Sequence, residues 1–349
     1  MRVVIASTFV PFIRGGGTKI VEDLHRELLR RGIESETVLI PFRSNWRDIA
    51  AQTAAIRLLD LTQSGGRESD RLIAIRTPSY AIRHPNKVAW FIHHHRGAYD
   101  LWGTPWCDMP DTPEGRHRRD MMRRSDDLYL RECRRVFTNS HIVAGRVLEF
   151  NGLRPNDILY PPLESDHLFR PGPFGDYLLY VSRLNTIKRQ TLAIEAMAHT
   201  DPDVKLVIAG TGDDAFYAAT LEARVAELQL GGRVRFTGWI SDAEKAELTA
   251  GCCGALYLAF DEDSYGYSTL EAFHARKPVI TLADSGGSLE VIEDGYNGSV
   301  CEPEPRALAE AMNHLWRDRT DGRRRGDNAY ISLARCGIDW DRVIENLTA

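Results

Sequence analysis

The chain has 349 residues, 43% hydrophobic and 27% charged, the balance of an ordinary globular protein. That length is too great for one comfortable core, so two domains are expected. A formal net charge of −5 argues against bulk nucleic-acid binding, and the absence of any run of 18 or more apolar residues argues against a membrane-spanning helix.

In chain order, Met1 to Ala6 lacks the long apolar core of a signal peptide and opens a first strand, Val3–Ser7. Lys19–Arg31 is a predicted helix with Ile20, Leu24, Leu28 and Leu29 apolar; Gly32 ends it, and Ser35–Leu39 returns as a strand. Further strands are expected at Leu72–Ile75, Val88–His93 and Val136–Thr138. This alternation predicts a parallel sheet covered by helices on both faces. Pro161, Pro162, Pro171, Gly172 and Pro173 make a stiff, helix-breaking stretch, which is where the linker is placed.

After the linker the alternation starts again. Strands are predicted at Tyr177–Ser182, Val204–Ala209, Val234–Phe236, Ala255–Leu258 and Val279–Leu282. Helices are predicted at Arg189–His199, Ala215–Gln229, Ala243–Ala250 and Thr269–Ala275. The tail from Arg306 is helical, with Trp340 placed to pack back on the first domain. The expected fold is α/β, with two tandem Rossmann-like doubly wound domains at 1–165 and 174–325 and a helical tail at 326–349. The carboxyl ends of both sheets would then face a central cleft. Cysteines 107, 133, 252, 253, 301 and 336 lack metal-ligand or redox spacing, and the adjacent Cys252 and Cys253, in an apolar run, are expected to be reduced and buried, as in a cytoplasmic protein.

Four segments carry chemistry. Arg183 and Lys188 follow the first strand of the second domain within Ser182–Lys188, so both cations can converge on an anion such as a diphosphate leaving group. Asp263 and Glu271 are separated by seven residues around Gly266, with Glu271 expected to open a short helix. Gly286 and Gly287 lie between a strand and a helix start, where backbone N–H groups can meet a phosphate. Arg14, Gly15, Gly16 and Gly17 form a glycine-rich loop after the first strand. Taken singly, each has a simpler alternative: solvated surface cations for the first, ordinary turns for the glycines.

Taken in order, Ser182–Lys188, Asp263–Glu271 and Asp284–Glu290 resemble the signature of nucleotide-sugar glycosyltransferases of family 4, with Asp263 where the family usually has Glu. The resemblance implies the GT-B fold and transfer of a hexose, with retention and without a metal ion, from a UDP- or GDP-sugar to a carbohydrate, lipid-linked or small-molecule acceptor. GDP-mannose is a mild preference. Arg183 and Lys188 would hold the diphosphate, Glu271 the ribose hydroxyls and Asp263 the sugar hydroxyls. Gly286, Gly287 and the Gly15–Gly17 loop would approach the sugar and phosphates, and backbone from Gly238 to Ile240 would grip the base. His93, at the end of its strand, would meet the donor sugar. No bound cofactor or metal is implied, and no carboxylate stands out as a covalent nucleophile.

Three other features have more than one reading. His93 and His95 would share a strand face, which suits zinc, but no third ligand has sensible spacing. Asp261-Glu262-Asp263 spells Asp-x-Asp, a metal-binding motif of a different glycosyltransferase architecture, but that architecture is one mixed sheet with no place for two doubly wound units and no need of Arg183 and Lys188, so the metal reading is rejected. The eight arginines of residues 116–135 interleave with Met121, Met122, Leu128 and Leu130, which suits either a solvated helix with internal ion pairs or peripheral contact with an anionic membrane. An epimerase- or phosphorylase-like enzyme, or a non-catalytic nucleotide-sugar binder, is the alternative function on the same fold.

Overall fold

A computed structural model describes residues 1–12, 15–212 and 215–349. The chain forms two compact units, Met1–Pro162 with Asp339–Ala349, and Leu163–Ile338.

Unit 1 runs β1 (Arg2–Phe9), α1 (Gly16–Arg30), β2 (Glu34–Pro41), α2 (Ile49–Arg57), a short hairpin of β3 (Gln63–Ser64) and β4 (Arg67–Glu68), then β5 (Arg71–Ala74) and β6 (Lys87–Phe91). It continues through α3 (Pro113–Arg131), β7 (Arg135–Thr138), α4 (His141–Asn151) and β8 (Asp157–Ile158). Its six-stranded sheet has the order β2-β1-β5-β6-β7-β8, with each neighbouring pair parallel. Parallel strands are covered on both faces, and β5 and β6 are accordingly buried at every position. Helix α1 turns Ile20, Val21, Leu24 and Leu28 inward; its buried Asp23 and Glu27 are paired with Lys19 and Arg26, and with Arg30 and Arg31.

Unit 2 runs β9 (Leu178–Val181), α5 (Gln190–Met197), β10 (Leu206–Ala209), α6 (Ala215–Glu227), β11 (Val234–Gly238), α7 (Asp242–Gly251), β12 (Gly254–Tyr257), α8 (Tyr267–His274), β13 (Val279–Leu282), β14 (Gly298–Cys301), α9 (Pro305–Arg317) and α10 (Arg319–Arg335). The sheet order is β11-β10-β9-β12-β13-β14. Leu178, Tyr180, Leu206, Ile208, Leu256 and Ile280 form one core with residues of the covering helices. The proline-rich stretch is packed into this unit: Phe169 is buried, and Lys277 donates to the carbonyls of Gly172 and Pro173 at 3.2 and 2.8 Å. The last helix, α11 (Trp340–Thr348), belongs to unit 1, where Trp340 stands edge-on to Trp90 at 6.4 Å. Helix α10 stays with unit 2, so the helical tail is divided between the units.

Both units are doubly wound α/β sheets. The strand order reverses between β1 and β5 in unit 1 and between β9 and β12 in unit 2. Those reversals matter because ligands of open parallel sheets sit outside the carboxyl ends of the strands at such points.

The expected β6 was too long. It ends at Phe91, where its pairing with β7 stops at Phe91 opposite Thr138, so His93 and His95 are in the following loop and strand alternation does not put them on one face.

Gly326 shows how tightly unit 2 is packed. A Cβ there would lie 2.1 Å from the carbonyl oxygen of Arg276. Alanine normally gains about 1 kcal/mol over glycine inside a helix, but overpacking costs about 1–3 kcal/mol. Gly326→Ala should therefore lower the midpoint of thermal unfolding; an unchanged or raised midpoint contradicts this packing.

Candidate functional site

In unit 2 the chain leaves β9 through exposed Arg183 and a 3-10 turn, Thr186–Lys188. Asn185 caps that turn, its Oδ1 accepting from the Lys188 amide at 3.2 Å. Buried Gln190 fixes the Arg183 loop from behind, donating to Ser182 Oγ and the Arg183 carbonyl, both at 2.8 Å. The Lys188 carbonyl accepts from the Tyr180 hydroxyl. Across the strand reversal, the loop after β12 carries Asp261, Glu262 and Asp263, all half-buried.

Main-chain hydrogen bonds lace these loops together. Phe260 N donates to Ile187 O at 2.9 Å, Asp261 N to Asp284 O at 2.8 Å and Gly287 N to Glu262 O at 2.8 Å. The glycines make this approach possible. A Cβ on Gly286 (φ +63°) would lie 2.5 Å from Glu262 O, and one on Gly287 would lie 2.8 Å from Ser264 Cα. Gly266 (φ +71°) is required in the same way, since a Cβ would lie 2.3 Å from the Tyr257 ring. Gly286 and Gly287 lead into a four-residue 3-10 turn rather than an α-helix. Gly238 (φ +69°) has open space beside it and precedes the exposed Trp239.

The charged groups are arranged in pairs. Lys188 Nζ donates to the Glu262 carboxylate, which also accepts from the Tyr257 hydroxyl at 3.3 Å. The acidic loop therefore meets Lys188 through Glu262. Glu271 is in the second turn of α8, not at its start, and its buried carboxylate accepts from Lys245 Nζ at 2.6 Å. Burial alone would lower the Lys245 pKa, but Glu271 and then Asp242 hold it above the ordinary value. Arg189 makes a forked pair with Asp284, both bonds 2.7 Å, and lies over the Phe260 ring at 4.9 Å.

Glu262, Lys245 and Arg189 had no assigned role in the sequence. Their signals were slight: Glu262 is adjacent to Asp263, Arg189 is adjacent to Lys188, and Lys245 lies within the predicted helix Ala243–Ala250.

In unit 1, the glycine loop after β1 caps α1 through Gly15, and Gly16 starts the helix. Arg14 lies outside the described residues. A Cβ on Gly17 would lie 3.0 Å from Arg76 Cδ. Arg76 follows β5 at the strand reversal, a cation that sequence reading passed over although it directly follows the apolar run Leu72–Ile75. His93 is half-buried, its Nδ1 2.7 Å from the His94 carbonyl. His94 is fully enclosed, 2.8 Å from Asn151 Oδ1 and with its ring 4.1 Å from that of Tyr99. His95 pairs with Asp108 at 3.2 Å.

Much of the basic helix α3 is used internally. Arg116 and Arg118 pair with Asp111 and Glu114; Arg119 and Arg123 lie over the Trp102 and Tyr99 rings; Arg131 donates to the Asn151 carbonyl. No helix among the described residues is long and apolar enough to cross a membrane.

Two Rossmann-like parallel-sheet units define the GT-B type of α/β protein. The solved structure of sucrose-phosphate synthase from Thermosynechococcus elongatus covers 99% of this chain and 97% of its own, with a TM-score of 0.79 at 17% identity. That of Anabaena HepE in complex with UDP and glucose covers 99% of each chain, with a TM-score of 0.71 at 20% identity.

Residues 174–332, nearly all of unit 2, match the family Glycosyl transferases group 1. Among curated proteins, human alpha-1,3/1,6-mannosyltransferase ALG2 is 33% identical over 185 residues, 46% of this chain and 44% of its own. The O-antigen chain mannosyltransferase C of Escherichia coli is 27% identical over 183 residues, 51% and 47% of the two chains. The matched region thus spans about half the length of these curated relatives.

Burial pushes both His93 and His94 down to about 4, with Arg76 adding to the shift at His93. Between pH of about 4 and about 6.5 the folded state binds fewer protons at these rings than the unfolded chain, so they subtract stability as pH falls through that window. Asp126 acts in the opposite sense: burial raises it to about 6, against hydrogen bonds from Tyr80 and Tyr99. The direct measurement is an NMR titration, in which both rings should stay neutral down to about pH 5. A midpoint near the ordinary 6.5 at either ring contradicts the burial described.

Proposed function

We propose that the protein is a retaining, metal-independent glycosyltransferase that moves a hexose from a nucleotide diphosphate sugar to a glycan, lipid-linked or small-molecule acceptor. The observation that carries this reading is that the family match at 174–332 coincides with the segment holding Arg183, Lys188, Asp263, Glu271, Gly286 and Gly287. GDP-mannose is the favoured donor, because both curated relatives described above are named as mannosyltransferases.

The chemistry follows from charge. As the bond between the sugar's anomeric carbon and the diphosphate oxygen breaks, the electron pair leaves with the diphosphate, and negative charge grows on its distal phosphate. Arg183 and Lys188 are assigned to that phosphate, where preorganised cations stabilise the departing group more than the bound donor. Lys188 is paired with Glu262, so donor binding exchanges one anionic partner for another. The acceptor hydroxyl attacks the same face of the sugar, with the leaving phosphate taking its proton.

Asp263 is assigned to the sugar hydroxyls. Glu271 is assigned to the ribose, where Lys245 holds it ionised as a hydrogen-bond acceptor. The Gly286–Gly287 turn, whose Gly287 N–H is held by the Glu262 carbonyl, is assigned to the sugar and phosphates, and the segment after Gly238 is assigned to the base. Acceptor binding is assigned to unit 1. With side chains carrying the neutralisation, no bound cofactor is needed.

The test is a transfer assay with GDP- and UDP-sugars in the presence of EDTA. Arg183→Ala and Lys188→Ala should each reduce turnover by about 10² or more, the scale seen when one preorganised donor is lost. Wild-type protein should remain active under chelation. Near-wild-type turnover in both variants would remove the diphosphate assignment, and activity restored only by Mg²⁺ or Mn²⁺ would replace the metal-independent mechanism.

A further inference from the structure

The loop after β12 carries three acids in a row, Asp261, Glu262 and Asp263, of which the sequence motif uses only the last. The main chain fixes Glu262 in place. Its carbonyl accepts from Gly287 N at 2.8 Å, and it forms a parallel bridge with Gly286. A Cβ on Gly286 would lie 2.5 Å from Glu262 O and 2.6 Å from Glu262 N, so the two backbones are already as close as they can come.

The Glu262 carboxylate accepts at Oε2 from Lys188 Nζ and, at 3.3 Å, from the Tyr257 hydroxyl. Tyr257 closes β12 and is buried, and Lys188 Nζ stands 5.5 Å from the centre of its ring. Burial and then the charge of Glu262 raise the Tyr257 pKa well above its ordinary value, so the hydroxyl stays protonated and donates. The side chains of Lys188 and Glu262 are 16% and 23% exposed, which lets an anion from solution reach the pair without opening the core. An anion that takes Lys188 leaves Glu262 where it is, because Tyr257 still holds the carboxylate and the backbone has no room to retreat. A carboxylate therefore stays beside the newly bound anion, and like charges at that range repel in proportion to their charge.

We infer that Glu262 is a charge discriminator that drives the nucleoside diphosphate product off Lys188 more strongly than it opposes the nucleotide sugar. The inference rests on the assignment of the diphosphate to Lys188. In the donor the distal phosphate is esterified to the sugar and carries one negative charge. In the product it is a terminal phosphate, with a charge of about −1.5 to −2 at neutral pH, as in a phosphate monoester. Cations placed to stabilise a departing diphosphate would otherwise hold that product more tightly than the donor, and release would limit turnover. The same repulsion opposes the charge that grows as the bond breaks, so Glu262 gives up some rate of cleavage for rate of release.

Calorimetric titration of the full chain with GDP and GDP-mannose, and with UDP and UDP-glucose, tests this. The proteins are wild type, Glu262→Gln, Glu262→Ala and Lys188→Gln, with circular dichroism reporting that each is folded. The contacts that fix residue 262 are made by its main chain, so both Glu262 variants keep the loop in place. Each should bind the nucleoside diphosphate at least about tenfold more tightly than wild type, or about 1.4 kcal/mol, and the matching nucleotide sugar with a smaller gain. Inhibition by product in a transfer assay should deepen in the same proportion. Equal tightening of both ligands would make Glu262 a simple competitor for Lys188, and unchanged or weaker binding would make it structural. Either result overturns the inference, and the diphosphate assignment stands if Lys188→Gln still weakens both ligands. Lys188→Gln without effect on either ligand removes that assignment and the inference with it.

Discussion

The contact on which the unit 2 site depends is the approach of two backbones, the turn at Gly286–Gly287 against the loop at Asp261–Ser264. The hydrogen bonds at Phe260, Asp261 and Gly287 join the loops after β9, β12 and β13 into one surface. A methyl group at 286 or 287 has no room there. The glycines thus serve the assembly of the site before they serve any ligand. A turn that approaches a phosphate is useful only if it is held still, and here the opposing loop holds it.

On that surface the charges are held in pairs. Lys188 is met by Glu262, Glu271 by Lys245, and Arg189 by Asp284. Partly buried ions are costly when alone, and removing one partner of such a pair is more damaging than the pair's net contribution suggests. The Arg189–Asp284 fork adds a second fastening between the turn after β9 and the start of the glycine loop. The backbone at Arg189 has φ +56°, a conformation that a non-glycine residue adopts at some cost and that the fork helps to retain. The Lys188–Glu262 pair differs, because the proposed chemistry requires it to open. The affinity for a diphosphate is then the difference between two ionic contacts, which keeps the cation in place without making binding irreversible.

Both doubly wound units were legible in the sequence, because apolar runs of four or five residues alternated with helical periodicity and broke at a proline-rich interval. Arg183, Lys188 and Asp263 were legible as positions because each follows a strand run closely, and strand order then brings those ends together. Three things were not legible. The end of β6 is set by where β7 stops pairing, and nothing in Phe91 to His95 announces it. The partner of Glu271 comes from α7, so it depends on how two helices pack. Glu262 was hidden between two aspartates, one residue from the position the motif emphasises. In each case the missing information is tertiary: a neighbour's length, orientation or register.

The central claim is that the interlocked loops of unit 2 form the seat of a nucleotide diphosphate sugar. Calorimetric titration of wild-type protein and Gly286→Ala with GDP-mannose and a panel of UDP-sugars tests it most directly, with circular dichroism reporting that the variant is folded. The account predicts that one nucleotide sugar binds the wild type and binds the folded variant at least about tenfold more weakly, a loss of about 1.4 kcal/mol. Equal affinity in the two proteins, or no binding of any nucleotide sugar to the wild type, would contradict it.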